Sequence, residues 1–293
     1  MTGFLAEVGG KLADRWVALL ALPGLLYLAV ATIAGTLGQA HALDYTVLGD
    51  QITRWAQSPT LRSTGGAVII VVAILAGSCM AGFAAVALGE FTEILWTARG
   101  RHLPARWLSA SRQKRSANAK RIADDPTATP EQVARAIAEA DRICLVAASR
   151  PTWIGDRLRA CSVRAQAAYG IDLAAAWPRL WLLFPPAARE EIGAARDSFS
   201  AAARLAGWAA MYLVLAIWWW PALVISLVIG ATARTKGRRA TSNLADLIEA
   251  TVDLYIRQLI DQIGDAKSSR VAGRQLTTIM RKSRWDPDSP LAE

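Results

Sequence analysis

The chain has 293 residues, of which 53% are hydrophobic and only 19% charged, and its net charge is +9. A charged share below the roughly 25% of soluble domains, together with long apolar runs, excludes an ordinary water-soluble globule. Three cysteines and two histidines exclude a disulfide framework and a Cys/His zinc signature.

The first apolar run extends from Trp16 to about Leu37, and the second from Gly66 to about Leu88. A bilayer core needs about 20 consecutive apolar residues per helix, and both runs meet that length. Ala40-His41-Ala42 has the small-x-small form of a cleavage site. The run before it exceeds the ~7–15 residues of a signal h-region, so a retained helix is the preferred reading. In the second run Ala73, Gly77, Ala81, Ala85 and Gly89 recur at a spacing of four. Such a stripe serves either close helix packing or the wall of a narrow lumen, and Val72 or Phe83 beside it would form an apolar constriction. Glu90 and Glu93 follow, and Arg204 opens the third apolar run. These three charges are expected at similar depth, as a boundary ion pair or as a charged ring at the inner mouth of a pore.

A basic helix is expected from Trp107 to about Asp124, broken by Asp124-Asp125-Pro126. Arg112, Lys114, Arg115, Lys120 and Arg121 on it are placed to touch anionic headgroups. Thr129, Pro130 and Gln132 form an N-terminal capping signature for a second helix. Its apolar side holds Val133, Ile137, Cys144 and Leu145, which gives a helical hairpin. The tryptophan-rich, proline-bounded cluster Trp177–Pro186 is too short to span a bilayer and belongs in the interface or a nearby helical core. Glu190-Glu191 lies early in a helix leading to the third apolar run, from about Ala201 to Ile217. The fourth run, Trp218 to about Ala233, is short unless its tryptophans sit in the headgroup layer. Thr241-Ser242-Asn243 then offers a cap for a separate amphipathic helix. Leu247, Ile248, Val252, Tyr255 and Leu259 lie on its apolar face, which would dock on the hairpin, pair between subunits or bind a partner.

The expected architecture is an all-α integral membrane protein with four transmembrane helices, paired 2+2 around a helical cytoplasmic domain, and a C-terminal cytoplasmic helix. Residues 1–96 hold the first pair (spans about 16–37 and 66–88), 97–200 the cytoplasmic or interfacial domain, and 201–233 the second pair. Residues 234–265 form the amphipathic helix and 266–293 a basic tail expected to be mobile. Residues 97–200 carry 17 Lys and Arg against 10 Asp and Glu, whereas 40–65 carry two of each. Basic loops stay inside, so both termini and the middle domain are expected in the cytoplasm, and the protein in the cell membrane. That retention accounts for the charge without a nucleic-acid partner.

Pro151-Thr152-Trp153-Ile154-Gly155-Asp156-Arg157-Leu158-Arg159-Ala160, Tyr169-Gly170-Ile171-Asp172 with Trp177-Pro178-Arg179-Leu180, and Leu247-Ile248-Glu249-Ala250 with Asp253-Leu254-Tyr255 resemble an uncharacterised family of prokaryotic multi-pass membrane proteins. The resemblance covers roughly the C-terminal half and implies no activity. The element order is similar to that of bestrophin channels, although none of the bestrophin sequence motifs occurs. No phosphate-binding glycine loop, zinc signature or nucleophile with its base is present, so no catalytic residue, cofactor or metal is expected. The leading expectation is a homo-oligomeric membrane channel or pore, anion-favouring if its inner vestibule uses the basic segment. A membrane-anchored scaffold or adaptor that binds a cytoplasmic protein is the alternative, and a membrane-disrupting defence effector is a third.

Overall fold

In the computed structural model the described residues are 21–59, 63–99, 103–125, 127–143, 146 and 148–263, and no strand occurs among them. The helices are α1 (Leu22–Leu37), α2 (Tyr45–Ala56), α3 (Thr64–Thr97), α4 (Leu103–Ala123) and α5 (Pro130–Ile143), then α6 (Trp153–Tyr169), α7 (Leu173–Leu183), α8 (Pro186–Leu215) and α9 (Pro221–Ile263). The start of the first expected span, His102, Cys144, Leu145 and the 266–293 tail lie outside the described residues. The chain divides into two compact units. One holds the described residues up to Glu93 together with Ser200–Thr235, and the other Ile94–Phe199 together with the described residues from Lys236 on.

In the first unit α1 begins with Pro23 in its first turn, where a missing N–H is harmless. It ends at Gly38, whose φ of 61° favours glycine and whose N–H bonds to Ala34 O at 3.0 Å. Gly24 lets α1 approach α3 so closely that a Cβ there would collide with the Ser78 carbonyl. Segment 40–65 contains α2, capped by the Asp44 carboxylate on Thr46 N at 3.0 Å. Tyr45, Leu48, Ile52 and Trp55 recur along it at helical spacing, yet the helix has no buried residue. Gln39 fastens this end of the unit. Its amide donates to Ala216 O at 3.1 Å and Ile217 O at 2.9 Å, and accepts from Trp220 N at 3.1 Å. Trp219 Nε1 adds a bond to Ala42 O at 2.9 Å.

α3 and α8 are long and apolar enough to cross a membrane, whereas α1 is apolar but only 16 residues long as described. α3 continues past Leu88 because neither proline nor a further glycine follows Gly89 before Gly100. α8 joins the expected leader helix and third run in one helix of 30 residues. The fourth run and the amphipathic helix are likewise one helix of 43 residues, which corrects the expected break at Thr241-Ser242-Asn243. Thr241 is fully buried and donates to Gly237 O at 2.7 Å, a bond back to the preceding turn that leaves the helix intact.

In the second unit α4 and α5 form the expected hairpin. The capping box closes as Thr129 N donates to Gln132 Oε1 at 2.9 Å and Gln132 N to Thr129 Oγ1 at 3.4 Å. The hairpin buries small residues, Ser116 and Ala119 on α4 and Ala136 and Ala140 on α5, while Ile137 stays 49% exposed. Thr152 caps α6 and Asp172 caps α7. Gly170, with a φ of 70°, makes the left-handed turn between them. The tryptophan-rich cluster is α7 with its exit. Leu180 and Phe184 are buried among Cys161 and Ala165 of α6 and Val252, Ile256 and Leu259 of α9. The C-terminal part of α9 therefore packs on α6 and α7.

Candidate functional site

The small-residue stripe of α3 changes neighbour along its length. Four residues advance about 40° beyond a full turn, so the stripe winds around the helix. Ala73 is exposed, and Gly77 faces Leu28 of α1, whose Cδ1 would lie 3.2 Å from an added Cβ. Ala81 and Ala85 pack with Met211 of α8, and Ala85 is only 1% exposed. A Cβ on Gly89 would meet Arg204 Cα at 2.8 Å, and one on Gly207 would meet Gly89 N at 2.9 Å and collide with Ala85 O. Gly77, Ala81, Ala85 and Gly89 thus form seams within the chain. Tyr27 of α1 closes the cluster against Tyr212 and Trp208, with ring centroids 5.4 and 6.1 Å away.

The rest of α3 is bare. Only 17% of its most apolar stretch is buried, against 39% for α8. Val68, Val72, Leu75, Cys79, Phe83 and Glu90 are exposed. At 3.6 residues per turn they fall within about 80° of one another, away from the α8 seam. Glu93 is half-buried. Arg204, also half-buried, makes no hydrogen bond or ion pair among the described residues, so it is not paired with Glu90. It borders a cavity of about 360 Å³ in the first unit.

The partner face expected on α9 is largely buried within its own unit. Val252 and Leu259 are each 2% exposed, and Leu247, Ile248 and Tyr255 pack against the same core. Tyr255 lies tilted by 58° against Phe184, centroid to centroid 5.6 Å. Beside this core Arg157, 7% exposed, bonds to Glu249 at 2.8 Å and to Asp246, and Arg164 bonds to the second Glu249 oxygen at 2.8 Å. Between α6 and α9 a cavity of about 190 Å³ is lined by Arg164, Tyr169, Glu249 and Asp253, with Cys161 behind them. Tyr169 donates to Asp253 at 3.0 Å. Burial, helped by the Glu249 carboxylate, pushes the Cys161 thiol up to about 12. A neutral thiol is a poor nucleophile, and the arginines and Tyr169 already engage both carboxylates. The arrangement can latch two helices together and does not assemble a base and nucleophile.

Sequence reasoning missed a second charged knot. Arg112, expected at headgroups, instead bonds to Asp156 at 2.6 Å, Arg150 O at 3.1 Å and Ile143 O at 2.8 Å. Asp156, 6% exposed, also accepts from Ser149 N at 3.1 Å and Arg150 N at 2.9 Å. Thr152 Oγ1 and Arg150 Nη1 tie the same segment to the Trp96 and Thr97 carbonyls. Thr152 four residues before Asp156, at a helix start, was the one available signal. Among the described residues no cluster of three or more His, Cys, Asp or Glu side chains could hold a metal. No family model, curated protein or solved structure matches the chain.

Proposed function

We propose that the protein is a homo-oligomeric membrane channel or pore with four spans per chain and both termini in the cytoplasm. The carrying observation is the bare line Val68, Val72, Leu75, Cys79 and Phe83 on α3, which ends in Glu90. In a ring of copies this line would face the axis. Val72 and Phe83 would make an apolar constriction that opens and closes by dewetting, and Glu90 would be the charge at its inner mouth. The tight seams of α3 with α1 and α8 support this division of labour, because they hold the helix from one side and leave the other free. A glutamate at the mouth would disfavour anions.

The test is conductance of the purified full chain in planar bilayers. The proposal expects single-channel currents that rise when Val72→Asn wets the constriction, and a reversal potential shifted toward anions by Glu90→Gln. A monomer without conductance, or currents unaltered by both substitutions, would refute it. The adaptor reading would need a partner surface other than the 247–259 face, which already serves the protein's own core.

A further inference from the structure

The cavity beside Arg204 lies among α1, α3, α8 and α9, and its wall includes Leu26, Val86, Leu205, Trp208 and Ile229. At about 360 Å³ it falls at the small end of ligand pockets and has room for part of an amphiphile. Arg204 stands in the apolar stretch of α8 and has no hydrogen-bond or ion-pair partner among the described residues. Guanidinium cannot discharge by losing its proton. An unpaired cation at membrane depth needs a counter-charge. Its backbone adjoins Gly89, one residue before Glu90, where the apolar run of α3 gives way to acidic residues. In the topology proposed above this is the level of the inner headgroups. A cationic fork at the edge of an apolar hollow matches a phosphate attached to an acyl chain, because guanidinium pairs with phosphate bidentately.

We infer that this cavity binds an anionic phospholipid, its phosphate on Arg204 and an acyl segment against Leu26, Val86 and Ile229. The inference rests on the membrane placement proposed above, not on conductance.

The experiment titrates the detergent-solubilised full chain with dioleoyl phosphatidylglycerol, dioleoyl phosphatidylcholine or glycerol phosphate, and follows bound lipid by native mass spectrometry. The wild type should retain phosphatidylglycerol in preference to phosphatidylcholine. Arg204→Gln should lower that preference at least about tenfold, as expected for a charge-assisted pair. Arg204→Lys, which keeps the charge and loses the fork, should fall between the two, and Arg234→Gln, an exposed basic residue of the same unit, should leave it unchanged. Val86→Phe, which fills the cavity and keeps the charge, should weaken binding even if Arg204→Gln does not fold. Unchanged preference in Arg204→Gln or Val86→Phe overturns the inference. Equal occupancy by glycerol phosphate also overturns it, by showing a free-anion site. Membranes washed with alkaline carbonate separate the two readings: release of the protein refutes the membrane placement, and retention without lipid preference refutes only this site.

Discussion

One substitution made at two glycines of α8 should change stability in opposite directions. At Gly207 an added methyl would lie 2.9 Å from Gly89 N and collide with the Ala85 carbonyl, both backbone atoms that no rotamer change can move. The helices must separate, and overpacking of this kind costs about 1–3 kcal/mol. At Gly193, 14 residues earlier in the same helix, an added methyl meets nothing within 4 Å. Replacing an unobstructed helical glycine by alanine gains about 0.4–1 kcal/mol through helix propensity and a less disordered unfolded chain. With about 2–4 °C of melting temperature per kcal/mol, Gly207→Ala should melt about 2–12 °C lower and Gly193→Ala about 1–4 °C higher. The twelve tryptophans provide the signal for thermal unfolding in detergent. If Gly207→Ala melts at or above the wild type, α3 and α8 do not meet at Ala85 and Gly89, and the separation of seam from bare face on α3 fails with it.

Other outcomes follow from the same contacts. Arg112→Ala strands Asp156, whose side chain is 5% exposed, and should cost about 3 kcal/mol, the low end for a broken buried pair because the Arg112 side chain is 18% exposed. Arg112→Lys should fall between, since it keeps the charge and loses the fork; thermal melts of both variants check this. The raised Cys161 thiol stabilises the fold fully below its unfolded value near 9, and that contribution is lost as pH rises toward about 12. Cys161→Ala should therefore lose less stability than the wild type across that window, as read from denaturant midpoints. At about pH 8 iodoacetamide should label Cys161 only after denaturant is added, as peptide mapping would show. Gln39→Ala removes three bonds at an exposed site where water can replace them. It should cost about 1 kcal/mol and lower the melt by about 2–4 °C.

The helices whose signals are local were legible in the sequence. Thr129, Pro130 and Gln132 foretold the start of α5, and the spacing of Leu247, Val252 and Leu259 foretold an apolar face. What that face meets was not legible, because its partners on α6 and α7 lie some 80 residues away in the chain and every apolar stripe looks alike from its own side. Thr241-Ser242-Asn243 misled for a related reason. A buried threonine that bonds to the preceding turn has the same letters as a cap. The α3 stripe was visible as a pattern, but its assignment needed Gly207 and Arg204, which only the packing brings to Ala85 and Gly89. Arg112 was read with its basic neighbours as a surface charge, since nothing in its own helix announces Asp156.

The Gln39 amide also bears on when the protein can finish folding. The carbonyl of Ala216 lies 177 residues downstream of it. At ribosomal speeds of about 5–20 residues per second, the amide is made roughly 9–35 seconds before that acceptor exists. Through that interval water must serve the side chain, and the first helix waits at its C-terminal end without its clasp. The Trp219 and Trp220 bonds arrive only a few residues later, so this end of the unit closes in one late step. A chain that stalls before Ala216 keeps its first two apolar helices and lacks the bonds that join their connecting loop to the C-terminal hairpin. Quality control would meet it as an unfastened amino-terminal half.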